Sequence, residues 1–321
     1  MKRIILSMSI VLATAMSMHA EQKVFYLPDF TIDGLDYEIQ QVAGSIGTVR
    51  VNDINEPYVT GSVTIPRTVT YDGTTYYVQA VDGFWPEEGG LTKLIIPSGV
   101  DSVLKTAFSS VSTLQEVDLT NVAYIGASAF SGCAIKELTL NGAKLKKMEN
   151  TAFGRNKSMT KLTIASMQLK ELPDFAFAGC EKLATISLGT YITKIGKQVF
   201  ALNPALTTIT LPSSLTSLGD EVFYNDENLK EIKVLAMIPP TCTAKTFDGL
   251  DKTKIKVIVP AGTVSAYKNA TGWKNLNISD GAQAVERVDA SQKQSVKTIK
   301  NGMMLIRKGE KIYTVTGQEV R

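Results

Sequence analysis

Apolar residues recur along this chain with a period of 22 to 24 residues, and a phenylalanine marks each copy: Phe108, Phe130, Phe153, Phe177, Phe200, Phe223 and Phe247. Five residues before each phenylalanine stands an anchor residue, apolar in six copies and a cysteine in the last: Val103, Ile125, Met148, Leu172, Ile195, Leu218 and Cys242. Eight to ten residues after each phenylalanine comes a short alternating run: 117–119, 138–140, 162–164, 186–188, 209–211, 232–234 and 257–259, with an earlier copy at 94–96. Seven consecutive copies in register predict a repeat protein.

Each run predicts a short strand that is buried on one face, because apolar and outward-facing residues alternate along it. One such strand cannot bury its apolar face alone, whereas stacked coils form a parallel sheet over a continuous core. The anchors and phenylalanines then fill the interior opposite the sheet, and small residues such as Gly126 and Gly219 leave room for close coil packing. The sequence therefore predicts a β-rich solenoid of coils 22 to 24 residues long, with a parallel β-sheet face.

Two columns of side chains are expected on the exposed face of this sheet, at the middle of each run and at the residue before it. On the central coils these columns contain mostly hydroxyl side chains: Thr139, Thr163, Thr185, Ser187, Thr208 and Thr210. Threonine has a high strand propensity, so a purely structural role is one interpretation. The other is a broad, nearly neutral surface that binds a protein or a glycan, with these six residues as its predicted contacts.

Two copies, residues 206–228 and 183–205, resemble the BspA-like leucine-rich repeats of bacterial surface proteins; the second reads LATISLGTYITKIGKQVFALNPA. Residues 255–276 are similar to the closing segment of that family, and residues 61–84 to its entry hairpin. The resemblance implies a leucine-rich-repeat solenoid of a class associated with adhesion and matrix-protein binding. The first unit departs from the pattern, since Val81 stands only three residues before Phe84, and we expect an irregular first coil.

The segments around the array predict further parts of the chain. Residues 1–20 combine two basic residues, an apolar core from Ile4 to Met18, and Ala20, which is typical of a secretory signal peptide. Residues 21–76 predict an N-terminal β cap with the entry hairpin, residues 77–278 the solenoid, and residues 279–295 a linker. Residues 296–321 predict three or four short strands, and their ending, IYTVTGQEVR, resembles type IX secretion sorting domains. A small β module without a secretory role is the alternative.

Composition argues against several kinds of chemistry. The single histidine, His19, lies in the predicted signal peptide, so the mature protein would lack the side chain that Ser-His-Asp triads and the usual zinc sites require. The formal net charge of +3 and the absence of a basic stripe indicate no nucleic-acid partner. The acidic pairs 220–221 and 226–227 fall in turns of ordinary repeats, where solvated carboxylates are expected.

The three cysteines are predicted to be packed thiols. Cys133 and Cys180 occupy the same repeat position two coils apart, about 10 Å from each other at the usual strand spacing, which is beyond the reach of a disulfide. Cys242 fills an anchor position.

Together these observations predict an exported protein at the cell surface or outside the cell, with the periplasm as the alternative. We expect no catalytic residue, cofactor or metal, and no membrane-spanning segment after residue 20. The predicted function is adhesion-type recognition of a protein or glycan through the solenoid face. A structural or accessory envelope scaffold without a host ligand is the alternative, and the oligomeric state is left open.

Overall fold

The chain folds into a β-solenoid, and the structure, a computed structural model, describes residues 28–54, 60–83, 90–281, 296–300, 303–308, 311–314 and 319–320. The N-terminal part contains β1 (Phe30–Ile32), β2 (Leu35–Ala43), β3 (Ile46–Ile54), β4 (Thr60–Thr64), β5 (Thr68–Tyr71) and β6 (Thr74–Val81). The array continues with β7 (Gly90–Ile95), β8 (Ser102–Val103), β9 (Glu116–Asp118), β10 (Tyr124–Ile125), β11 (Glu137–Leu140), β12 (Lys147–Met148), β13 (Lys161–Ile164), β14 (Glu171–Leu172), β15 (Thr185–Leu188), β16 (Lys194–Ile195), β17 (Thr208–Leu211), β18 (Ser217–Leu218), β19 (Glu231–Val234), β20 (Lys256–Val259), the helix α1 (Val264–Asn269) and β21 (Asn277–Asp280). An antiparallel meander follows, with β22 (Val296–Lys300), β23 (Met303–Lys308), β24 (Lys311–Thr314) and β25 (Glu319–Val320).

The longer strands of the coils stack in parallel on one side, which we call the triplet face. It consists of three sheets with the strand orders β4-β7-β9, β11-β13-β15 and β17-β19-β20-β21. Because β4 pairs in parallel with β7, the ladder of this face begins at Thr60. The domain boundary predicted after residue 76 lies inside β6, a strand that the N-terminal cap and the array share.

The two-residue strands that end in the anchors stack on a second side, which we call the anchor face. One sheet runs from the cap into the array in the order β1-β2-β3-β6-β8-β10-β12, and β14-β16-β18 form another. The ladder of backbone hydrogen bonds on this face is interrupted between β12 and β14. Pro173, which directly follows the anchor Leu172, has no N–H to donate. The equivalent residues of other coils donate theirs to the anchor carbonyl of the preceding coil at 2.8 to 2.9 Å: Gly126, Glu149, Gly196 and Gly219.

The third side carries the phenylalanines, whose buried rings stack along the solenoid with centroids 5.2 to 6.5 Å apart. The backbone has a positive φ two residues before each of these phenylalanines except Phe247, at Thr106, Ser128, Thr151, Phe175, Gln198 and Glu221. It has a positive φ again two residues after them, at Ser110, Gly132, Arg155, Gly179, Leu202, Asn225 and Gly249. This alternation points the phenylalanine N–H groups toward the next coil; that of Phe130, for example, donates to the Ala152 carbonyl oxygen at 2.8 Å.

A column of polar side chains lies inside the solenoid, three residues after the central phenylalanines: Cys133, Asn156, Cys180, Asn203 and Asp226. Asn156 Nδ2 donates to the phenylalanine carbonyls of its own and the preceding coil at 2.9 and 2.8 Å. Asn203 Nδ2 makes the same pair of bonds at 2.7 and 3.2 Å. The column thus provides donors for carbonyl oxygens that would otherwise be buried without a partner.

Asp226 belongs to this column, and the prediction that it is a solvated turn residue was wrong. Its side chain is 1% exposed, and its Oδ1 accepts the Asn203 N–H at 2.7 Å. Its Oδ2 has no hydrogen-bond partner among the described residues. Desolvation by this burial raises the pKa of Asp226 to about 8, so its carboxyl group is mostly protonated at neutral pH.

The C-terminal end of the stack is closed by aromatic side chains. The Trp273 ring packs edge-on against Phe247 at 5.0 Å, and Tyr267 of α1 packs against Trp273 at 5.2 Å. Trp273 Nε1 donates to the Pro240 carbonyl at 2.8 Å, and the Tyr267 hydroxyl donates to that of Ala236 at 2.7 Å. The predicted fold class, a β-rich solenoid with a parallel sheet face, an N-terminal β cap and a small C-terminal β module, is confirmed.

Candidate binding surface

The six predicted contact residues lie on the triplet face, and we call them the hydroxyl patch: Thr139, Thr163, Thr185, Ser187, Thr208 and Thr210. Thr163 is half-buried and the other five are exposed. The strand residues between them point inward; Leu138, Leu162 and Ile209, for example, are at most 3% exposed. The strand residues therefore alternate between outward and inward positions in the structure as the sequence predicts.

Strand pairing divides the hydroxyl patch into two groups. Thr139, Thr163 and Ser187 are register partners across β11, β13 and β15, and Thr185 lies beside Ser187 on β15. Thr208 and Thr210 lie on β17, which begins the next sheet. At the boundary between these two sheets, the inward residues Ile186 and Leu188 are half-buried rather than fully buried. The parallel sheet face predicted from the sequence is confirmed, and its ladder is interrupted between β15 and β17.

Two pairs of charged side chains near the hydroxyl patch form ion pairs, whereas Lys233, the register partner of Thr210, forms none with a described residue. Lys161 Nζ lies 3.9 Å from Glu137 Oε2, and Lys93 Nζ lies 2.9 Å from Glu116 Oε2. Such exposed pairs add little stability, but they cancel the charge of their neighbourhood. What remains at the centre of the triplet face is a set of hydroxyl groups that can both donate and accept hydrogen bonds.

A groove lies on the anchor face, and the sequence analysis missed it. The opening at Pro173 forms a surface groove of 610 Å³ with Met148 and Leu169 among its lining residues. Lys147 Nζ donates to Glu149 Oε1 at 2.9 Å on its wall, and this bond lowers the pKa of Glu149. The signal was present in the sequence, because only in this copy does proline stand directly after the anchor residue.

The three cysteines are free thiols. Desolvation raises the pKa of Cys133, Cys180 and Cys242 to about 12, so the reactive thiolate is scarce at neutral pH. Cys133 Sγ donates to the Phe108 carbonyl at 3.1 Å, as the asparagines of the polar column do. Within the described ranges, no group of three or more His, Cys, Asp or Glu side chains is arranged to hold a metal ion. Among the same residues, no helix is long and apolar enough to cross a membrane.

Comparison with known proteins identifies the repeat. The family described as BspA type Leucine rich repeat region matches with six copies, over residues 86–167 and 146–270. None of the curated proteins matches the chain.

Solved structures of bacterial repeat proteins are similar to this chain. A leucine-rich repeat protein from Bacteroides ovatus is 25% identical, with a TM-score of 0.43 over 72% of this chain and 71% of its own. The pneumococcal vaccine antigen PcpA is 17% identical, with a TM-score of 0.32 over 78% of this chain and 97% of its own. A leucine rich cell surface protein from Faecalibacterium prausnitzii is 15% identical, with a TM-score of 0.31 over 76% of this chain and 97% of its own.

Proposed function

The chain belongs to the BspA-type leucine-rich-repeat family, and we propose that it is an exported surface module that recognises a protein or glycan through its triplet face. The repeat fold supports a protein-interaction or surface-protein module. Adhesion and the choice of the triplet face are our proposals. The N-terminal pattern of residues 1–20 supports export, and the ending of the chain supports a sorting role for residues 296–321.

One observation carries the choice of face: the hydroxyl patch is regular, exposed and free of net charge. Register partners on adjacent parallel strands lie about 4.8 Å apart, so Thr139, Thr163 and Ser187 present hydroxyls at an even spacing. A partner surface with its own regular polar groups, such as a strand edge or a glycan chain, would meet a matching row of donors and acceptors.

The interface must be larger than the hydroxyl patch. Four coils cover only about 15 Å along the array at this strand spacing. A stable interface needs about 800 Å² on each partner. Binding therefore has to include the neighbouring columns, and removing single hydroxyls should change affinity little.

Two arginine substitutions on the triplet face test whether this face binds the partner. We expect the double variant Thr163→Arg with Thr210→Arg to fold normally and to lose binding in a pull-down against matrix proteins and glycans. The matched control is Thr193→Arg with Thr241→Arg. It places the same two changes two coils apart on the anchor face, again at one half-buried and one exposed threonine.

The outcomes separate the possibilities. Loss of binding in the first variant and retention in the control supports the triplet face. Equal binding of both variants overturns the choice of face, and loss in the control alone assigns binding to the anchor face. If the unaltered protein captures nothing from the panel, adhesion-type recognition is rejected in favour of the scaffold alternative.

A further inference from the structure

The two ends of the region formed by residues 28–281 carry opposite charge, although the whole chain is nearly neutral. Residues 28–83 contain eight acidic and two basic residues, a net charge of −6. One of those two basic residues, Arg50, is already paired with Glu38 and Asp82, both at 2.6 Å. Residues 229–281 contain eight basic and four acidic residues, a net charge of +4. The N-terminal cap is therefore an acidic end and the last coils are a basic end.

A protruding apolar loop lies within the basic end, directly after β19. Leu235, Met237 and Ile238 are 42%, 64% and 81% exposed, and Ile238 has the largest exposed fraction of any large apolar side chain in the described residues. The loop is held in place on both sides, because Tyr267 and Trp273 donate to the carbonyls of Ala236 and Pro240 as described above. Several exposed apolar side chains on one braced loop are typical of an interaction site.

The lysines around this apolar loop are available to a partner. Lys233 stands two residues before Leu235 and is exposed, while Lys268 and Lys274 are exposed next to the two bracing aromatic residues. None of these three lysines forms an ion pair with another described residue. By contrast, Lys252 and Lys254 are paired locally, with Asp248 and Asp251.

The acidic end contains a cleft of 490 Å³ between the β1–β2 turn and the strands β4 and β5. Hydroxyl side chains and the exposed Asp33 form much of its lining, together with Val63 and the buried side chains of Leu35, Tyr37 and Val69. A cleft of this size is large enough for a drug-sized ligand, and therefore for two or three side chains.

We propose that the protein associates head to tail with a second copy of itself, the Leu235–Ile238 loop of one molecule entering the Leu35–Val69 cleft of the next. The basic end meets the acidic end, so the charges of the two surfaces are complementary in the head-to-tail orientation. The exposed apolar side chains of the loop are withdrawn from water in the same contact. Two acidic ends, or two basic ends, would repel each other. The contact is heterologous and leaves a free loop and a free cleft at the ends of every assembly, so association continues beyond the dimer unless a ring closes.

Sedimentation velocity of the purified full chain tests this proposal. We expect the weight-average mass to rise with concentration past the dimer, and the association to weaken as salt is raised from 50 to 500 mM, because exposed charges are screened. Ile238→Asp should weaken association by roughly tenfold or more, as removal of a central apolar contact does. Met167→Asp is the matched control, since Met167 is 55% exposed at the corresponding corner of another coil, and it should associate like the unaltered protein.

Mixing a variant with a defective cleft and a variant with a defective loop tests the head-to-tail geometry. Thr64→Arg, at an exposed position lining the cleft, should also be monomeric. Mixing it with Ile238→Asp should yield a one-to-one heterodimer and nothing larger, because one intact loop and one intact cleft remain between them. A mixture that stays monomeric, an Ile238→Asp variant that associates fully, or an unaltered chain that is monomeric up to its solubility limit overturns the proposal. Circular dichroism melting verifies that each variant is folded, and Asp33→Lys replaces Thr64→Arg if that variant is not.

Discussion

Replacing Asp226 by asparagine should stabilise the protein at pH 8, and much less at pH 5. Asparagine keeps an oxygen for the Asn203 N–H, which Asp226 Oδ1 now accepts at 2.7 Å. It also adds an amide donor where Asn203 and Asn156, one and three coils away in the same column, donate to phenylalanine carbonyls. The variant therefore retains the hydrogen bonds of the neutral carboxyl group and removes its ability to ionise.

The magnitude follows from proton linkage. A group whose pKa is higher in the folded chain contributes stability that is fully present below its unfolded pKa and is lost as pH rises through its folded pKa. For Asp226 these values are about 3.9 unfolded and about 8 folded. At about 1.4 kcal/mol per unit, the unaltered protein loses roughly 4 kcal/mol of unfolding free energy between pH 5 and pH 8 through this group.

Thermal melts at several pH values measure this difference. The melting temperature of Asp226→Asn should exceed that of the unaltered protein by roughly 8–16 °C more at pH 8 than at pH 5, for an array of this size. Asp280→Asn, at an exposed position on β21, is the control and should leave the pH dependence unchanged. If Asp226→Asn is no more stable than the unaltered protein at pH 8, the column does not hold a neutral carboxyl group and our assignment is refuted.

Three further changes test the packing of the stack. Phe177→Ala removes a ring stacked on both sides and should cost about 3–5 kcal/mol in denaturant unfolding; a loss below 1 kcal/mol would show that the phenylalanines are not the core. Trp273→Ala removes the ring that covers Phe247, and hydrogen exchange should then accelerate in residues 231–281 before the central coils; uniform acceleration would argue against a local cap. Gly126→Ala would place a methyl group 2.5 Å from the Lys105 nitrogen and should lower stability by about 1–3 kcal/mol; an unchanged melting temperature would mean that the coils can separate there.

Repeat periodicity predicted much of this fold because the same pattern of apolar and polar residues recurs in every copy. The phenylalanine spacing identified the interior stack, and the apolar alternation placed Thr139, Thr163 and Ser187 in register. Both patterns depend on which side of the backbone a residue faces, and this is a local property that a single sequence contains.

Other features depend on contacts between distant residues and were missed. Asp226 looks like half of a solvated acidic pair until its position is aligned with Asn156 and Asn203 of earlier coils. The interruption between β15 and β17 was also missed, although Pro212 stands where Ala165 and Leu235 of other coils donate an N–H to the preceding coil. The acidic and basic ends are hidden in the composition because their charges nearly cancel over the whole chain.

The one-way hydrogen bonding of the phenylalanine side also bears on how such a chain changes in evolution. Because each coil donates N–H groups forward and offers carbonyls backward at the same repeat positions, the front of any coil matches the back of any other. Duplication or loss of one entire coil would leave every ladder intact, whereas insertion of one residue between anchor and phenylalanine would reverse the alternation of φ. The seven copies agree with this constraint: coil length varies from 22 to 24 residues, yet the interval from anchor to phenylalanine is five in every copy. Length variants of this array should therefore differ by whole coils, and smaller insertions should occur in the loops between the three faces.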